Sequence, residues 1–151
     1  MPPKSTPFLS AHLSAIAHAT EDIQKVEQAT RYLLELISQT EPNLTRQYVK
    51  GHHGNTIATI SAKLMGKALL PNALQVLSQK LSESDKQFLG NDIESCVDNE
   101  GNLYLRFNKQ DAFLGALKLY QGDPIRMRLK FISGYDSERI VEMCRESRLV
   151  S

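Results

Sequence analysis

The sequence predicts an α+β fold: a two-layer sandwich in which a mostly antiparallel sheet of about six strands carries helices packed on one face. Three observations lead there. The run Ile125 to Phe131 alternates apolar and basic residues without exception, which puts Ile125, Met127, Leu129 and Phe131 on one side of a strand and Arg126, Arg128 and Lys130 on the other. Runs of period 2 and period 3.6 follow one another as strand, helix, strand, strand, helix, helix, strand, strand, strand, helix. Strands grouped into hairpins make an antiparallel sheet, and such a sheet can leave its second face to solvent or to a partner.

Residues 1–7 hold three prolines and are expected to form a disordered lead. Phe8 to His18 reads as a strand, with Leu9, Ala11, Leu13, Ala15 and Ala17 on one face and Phe8, Ser10, His12, Ser14, Ile16 and His18 on the other; the small residues suit close packing against a helix. That helix is expected over 21–39. Thr20 would cap it, Glu21 and Asp22 suit the positive end of its dipole, and Ile23, Val26, Thr30, Leu33, Leu34 and Ile37 recur at helical spacing. Glu41-Pro42-Asn43 stops it.

Leu44 to Lys50 and the β-branched run Thr56 to Leu64 form a hairpin around the turn Gly51-His52-His53-Gly54-Asn55. A helix follows over Leu69 to Leu81, with Leu70, Ala73, Leu74, Leu77 and Leu81 on its stripe and Pro71 in its first turn. Ser82 with Asp85 resembles a capping box opening a second helix whose inner stripe is Phe88, Leu89, Ile93, Cys96 and Val97. Asp98-Asn99-Glu100-Gly101 turns the chain into the strand Leu103 to Phe107, from which Tyr104 and Arg106 face outward. Lys109 to Phe113 is one helical turn, and Gly115 to Tyr120 a further strand. A three-residue loop, Gly122-Asp123-Pro124, would then set position 118 opposite 128 and 120 opposite 126, with Lys118 and Tyr120 beside the arginines. Asp136 to Arg148 carries Ile140, Val141 and Cys144 at helical spacing. The expected organisation is one domain at 8–132, with an appended C-terminal helix and tail at 133–151.

A chain of 151 residues with 41% hydrophobic and 23% charged content has the composition of an ordinary globular domain. Its net charge of +1 gives no global attraction to nucleic acid or membrane, so any electrostatic function must come from local asymmetry. Such asymmetry exists. Between 103 and 131 six basic residues face two acidic ones, whereas between 82 and 100 six acidic residues face one base. No apolar run is long enough to span a bilayer and no apolar leader is present, so an intracellular, cytoplasmic protein without membrane attachment is expected. Cys96 and Cys144 form neither a disulfide framework nor a zinc pattern and read as buried or half-buried thiols. The sequon Asn43-Leu44-Thr45 has no route to glycosylation in that setting.

The candidate site is the outward face bearing Arg106, Lys118, Arg126, Arg128 and Lys130, with Tyr104 and Tyr120 among them. Basic groups two residues apart on a strand are spaced by roughly 7 Å, which suits a run of phosphates, and tyrosines offer bases a stacking surface. A solvated sheet face has the same pattern, and concentration on adjacent strands is what favours binding. His52 and His53 stand in one turn, where two adjacent histidines do not easily reach a single ion, so no metal is expected. His18, Thr20, Glu21 and Asp22 suggest acid and base groups at a strand end, but capping and dipole roles explain them. With no nucleophile elbow, phosphate loop or dinucleotide fingerprint, neither a cofactor nor catalysis is expected. A protein-interaction subunit that docks partners through its acidic and basic faces is the alternative.

Several segments together resemble an archaeal family of RNA-binding proteins described as predicted exosome subunits. They are His18-Ala19-Thr20-Glu21-Asp22, Gly51-His52-His53-Gly54-Asn55, Asn99-Glu100-Gly101-Asn102-Leu103-Tyr104-Leu105-Arg106-Phe107-Asn108-Lys109-Gln110, and the strand Ile125 to Phe131. The likeness covers roughly residues 8 to 132, and the order of the segments is more specific than any one of them. That family is similar in fold to the large-subunit ribosomal protein that contacts 5S rRNA, an α+β sandwich. The resemblance implies RNA as partner, with exosome or other RNA-processing proteins, and it transfers no catalytic residue. His52, His53 and Asn55 join the candidate RNA contacts on this basis.

Overall fold

The computed structural model describes residues 6–51 and 54–151. Strands β1 (Phe8–Ala17), β2 (Thr45–Lys50), β3 (Thr56–Met65), β4 (Asn102–Phe107) and β5 (Ile125–Phe131) make one open sheet. Its order is β2-β3-β1-β5-β4, and every neighbouring pair is antiparallel. The helices are α1 (Ile23–Ile37), α2 (Ala73–Lys80), α3 (Glu83–Asn91), α4 (Lys109–Phe113) and α5 (Ser137–Glu146), with 3-10 turns at Gly66–Ala68 and Ile93–Cys96. The predicted α+β sandwich is present, with five strands in place of about six.

Alternation decides which face is covered. Ala11, Leu13, Ala15 and Ala17 of β1, Ala58, Ile60, Ala62 and Leu64 of β3, and Leu103, Leu105, Phe107, Ile125, Met127 and Leu129 of β4 and β5 are all buried. The helices bury their stripes against them: Val26, Leu33, Leu34 and Ile37 from α1, Leu74 and Leu77 from α2, and Ile140 and Cys144 from α5. Burial of each Val, Leu, Ile, Phe or Met side chain among them contributes about 1.5–3 kcal/mol relative to exposure, and each alanine less. The apolar stripe of α5 and the residues after it, Leu149 and Val150, lie in the same cluster as the strands.

Several local expectations are corrected. α1 begins at Ile23, capped by Asp22, whose side chain accepts from the Gln24 amide at 2.9 Å; Thr20 is not the cap. α2 starts only at Ala73, leaving Pro71 ahead of its cap, and the acidic helix breaks at Asp92 into a 3-10 turn. Phe88 is exposed and leaves the predicted stripe. In β1 the pairing with β5 slips between Phe8 and Ser10, a bulge in which Leu9 is the extra residue. Phe8 is therefore buried at 5.0 Å from the Phe131 ring while Leu9 is exposed, the reverse of simple alternation. The cap of α3 is as expected, with Ser82 accepting from the Asp85 amide.

The predicted strand Gly115 to Tyr120 does not form. Gly115, at φ +81°, closes α4, and the Ala116 amide turns back to the Asp111 carbonyl. The Leu119 amide is taken by the Asp85 carboxylate at 3.1 Å, so only a single bridge, Phe107 to Leu119, joins this segment to the edge of β4. Leu117 and Leu119 still turn toward the core.

The bulge generates a test. A Cβ at Gly66 would press into the Phe8 carbonyl oxygen, a backbone atom held by the bulge. Gly66→Ala is expected to destabilise the protein by about 1–3 kcal/mol through overpacking, read as a lower denaturant midpoint. An unchanged midpoint would mean that the bulge can shift freely.

Candidate nucleic-acid interface

The sheet's second face is built by the residues that alternate with the core. Cross-strand pairing aligns Lys63 of β3, His12 of β1, Arg128 of β5 and Tyr104 of β4 in one row. The next row is Ser61, Ser14, Arg126 and Arg106, and Lys130 pairs with Ser10 and Asn102 on the other side. Strands lie about 4.8 Å apart and alternate residues roughly 7 Å apart, so the basic groups form a two-dimensional array. His12, Ser14, Tyr104, Arg106, Arg126 and Arg128 line a shallow depression of about 170 Å³ on it.

The electrostatics of this face are one-sided. Arg106 and Arg126 sit directly opposite each other, a like-charge pairing that destabilises a sheet. None of the strand residues on the open face is acidic. Among the described residues no carboxylate reaches ion-pair distance of Lys63, Arg106, Arg126, Arg128 or Lys130. Burial, then Arg128 and Lys63, push the His12 pKa below its ordinary value, since a further cation here would be repelled.

Tyr104 is held in place. Its hydroxyl donates to Asp98 Oδ2 at 2.8 Å, and the same carboxylate accepts from the Asn102 side chain and from the amides of Glu100 and Asn102. Burial pushes the Asp98 carboxyl upward, but these four donors outweigh it and bring the group down to about 2. The turn before β4 thus fixes the ring of a half-exposed tyrosine at the sheet edge, beside Arg128 and Arg106.

The structure assembles Tyr104, Arg106, Arg126, Arg128 and Lys130 on one face and separates the other two residues predicted there. Lys118 lies outside the sheet, its carbonyl accepting from the Asn108 amide along the edge of β4. Tyr120 lines a different groove, and Gln121 is the residue that reaches Arg106, at 3.3 Å. Register with β5 fails because β4, not 115–120, is the partner of β5. His52 and His53 lie outside the described residues. Asn55 is exposed in the β2–β3 turn, across the sheet order from β4 and β5. Lys63 and His12 were missed as members of the face; the alternation Thr59, Ser61, Lys63 in β3 was the available signal.

A polar cluster closes the strand ends. The Lys109 ammonium donates to the Ile16 carbonyl at 2.9 Å, to Glu21 Oε1 at 2.9 Å and to Asp123 Oδ2 at 2.6 Å, and His18 Nε2 lies 2.9 Å from that same Asp123 oxygen. All three ammonium protons are used. His18, Glu21 and Asp123 are spaced closely enough to ligate an ion, but the ammonium bonds both carboxylates and supplies the positive charge itself. Burial pushes the Asp123 carboxyl up, and Lys109 followed by His18 reverses this to a net lowering.

Comparison with known proteins shows the chain's family and its fold. The model of a family described as RNA binding matches residues 10–131. RNA-binding protein PAB1135 of Pyrococcus abyssi is 33% identical over 144 residues, covering 91% of this chain and 94% of that protein. Protein SSO0741 from Sulfolobus solfataricus has a similar structure, with a TM-score of 0.69 and 25% identity over 91% of this chain and 98% of that one. Mth689 from Methanothermobacter thermautotrophicus, a DUF54 protein, gives 0.68 and 27% over 93% and 97%.

Two outcomes check this geometry. Lys109→Met leaves Glu21 and Asp123 facing each other without their cation, and a loss of about 1–2 kcal/mol is expected for so half-open a cluster; an unaltered thermal midpoint would remove Lys109 as the tie. Asp98→Asn is expected to cost about 1–2 kcal/mol near neutrality after solvent screening. Because the folded-state pKa of Asp98 is depressed, its contribution is complete above the ordinary carboxylate range and disappears as pH falls toward about 2. The two proteins should therefore converge in stability in acid, and a difference independent of pH would contradict the assignment.

Proposed function

Since the chain belongs to the RNA-binding family whose model it matches over residues 10–131, we propose that it is a non-catalytic RNA-binding protein whose open sheet face holds the RNA. The observation that carries this reading is the array of five cations, Lys63, Arg106, Arg126, Arg128 and Lys130, without carboxylate partners among the described residues, on a face whose strand residues include no acid. Phosphate oxygens would relieve the opposition of Arg106 and Arg126, and the ring of Tyr104, oriented by Asp98, would stack on a base. Arginine at three of the five positions favours bidentate phosphate contacts. The turn around His52, His53 and Asn55 adds contacts to the same RNA, and Lys118 adds charge at the β4 edge. Action alongside RNA-processing or RNA-degradation machinery, the exosome included, is what the family resemblance supports. No helix among the described residues is long and apolar enough to cross a membrane.

The test is a titration of labelled single-stranded RNA and of matched DNA at several salt concentrations. Neutralising about four phosphates of a single strand predicts a log-log slope near −3. Arg126→Ala with Arg128→Ala should lower RNA affinity about tenfold or more, while stability is unchanged or slightly raised because the opposition to Arg106 is gone. Full affinity in that double variant would overturn the assignment of the face. Binding only to a protein partner, resistant to nuclease, would replace RNA with an acidic protein surface.

A further inference from the structure

A second concavity, of about 500 Å³, opens beside the basic face between the start of α1, α4 and the segment leading into β5. Its walls include Lys25, Asn108, Gln110, Phe113 and Tyr120. The volume suits one nucleotide and is far too small for a duplex. Its acids are already engaged: Glu21 and Asp123 by Lys109 and His18, and Asp22 by the cap of α1. What the groove presents is aromatic surface with amide groups beside it. Tyr120 and Phe113 are 45% and 37% exposed, and the Lys25 ammonium stands 5.5 Å over the Phe113 ring.

The ring of Tyr120 is placed by a glycine. A Cβ at Gly122 would stand 2.6 Å from the tyrosine hydroxyl and 2.7 Å from two ring carbons. Gly122 therefore serves the position of an exposed ring, which packing of the core does not require. The segment that carries this ring is also tied to the cationic strand β4. The Tyr120 amide donates to the Arg106 carbonyl at 3.1 Å, and the side chain of Gln121 reaches the Arg106 guanidinium. Arg106 in turn faces Arg126 across the β4–β5 pair.

We propose that this groove receives a single unstacked nucleobase of an RNA strand whose phosphates lie on Arg106 and Arg126. Tyr120 is its stacking surface, and the Gln110 side-chain amide and Asn108 Nδ2 meet its edge, the Asn108 Oδ1 being taken by the Asp111 amide at the cap of α4. The inference rests on the RNA-binding reading above, and it adds a demand for single-stranded RNA bearing bases.

The chain contains no tryptophan, so Tyr120→Trp places a sole indole at the groove wall. Its fluorescence is expected to be quenched by a short single-stranded RNA and not by the same strand made abasic, while anisotropy of a labelled 5′ end records binding of both. Tyr120→Leu should weaken binding of the base-bearing strand about tenfold and leave the abasic strand unchanged. Gly122→Ala, which displaces the ring, should reproduce that selective loss. RNA that binds with no quenching and with equal affinity in Tyr120→Leu would overturn the groove while the basic face stands. Quenching by nucleoside monophosphates but not by RNA would assign the groove to free nucleotides and overturn the proposal. Absence of RNA binding in the unsubstituted protein would instead remove the reading on which it rests.

Discussion

A strand has two faces, and in this protein helices cover only one of them. The rest of the structure depends on that constraint. The central strand β1, flanked by β3 and β5, sends Ala11, Leu13, Ala15 and Ala17 under α1, and so must send His12 and Ser14 to the other side. Because all four strand pairs are antiparallel and keep one register apart from the bulge between Phe8 and Ser10, each outward residue acquires fixed neighbours across the sheet. The alignment of Lys63, His12, Arg128 and Tyr104 is thus a geometric consequence of burying Ala62, Leu13, Met127 and Leu105 one position away. A slip of one residue would exchange the faces, placing arginines in the core. Strong burial on one side is what makes the cationic array on the other side reproducible.

Two polar devices then stiffen the ends of this sheet. Lys109 joins the last turn of β1, the start of α1, α4 and the approach to β5 through one ammonium, and Asp98 organises the turn that delivers Tyr104. Both use a charged group with several short bonds in a half-open setting, where the desolvation cost is smaller than in a core and the bonds still outweigh water. The effect on function is preorganisation: the tyrosine ring and the ends of the strands do not have to be ordered when a ligand arrives.

Much of this was legible in the sequence, for reasons that differ by element. The run Ile125 to Phe131 alternates so strictly that its faces could be assigned before any partner was known, and Leu103 to Phe107 behaves in the same way. The helix stripes of α1 and α5 were legible because their apolar spacing is strong. The segment 115–120 misled because Leu117 and Leu119 alternate as a strand would; what decides it is the capture of the Leu119 amide by Asp85, a residue 34 positions away. The inversion of Phe8 and Leu9 depends on a bulge set by pairing with β5, which no local pattern encodes. Lys63 and His12 were overlooked because only the strand order, with β1 between β3 and β5, brings them beside Arg128.

The same long-range contacts bear on the charge segregation. The acidic stretch from 82 to 100 reads equally as a docking surface opposed to the basic one, yet three of its six carboxylates have local tasks. Asp85 anchors the chain that returns from α4, Glu83 lies in the first turn of α3 where the helix dipole favours it, and Asp98 orders the turn into β4. Among the described residues the bases of β4 and β5 have one such tie, from Arg106 to Gln121, and no carboxylate partner. With a net charge of only +1, the protein as a whole exerts little pull on a polyanion, so attraction must be short-ranged and confined to the open face and its margin. Such a distribution selects contact geometry over bulk electrostatic capture. It suits a surface that reads the spacing of phosphates and the presence of free bases more than one that coats nucleic acid indiscriminately.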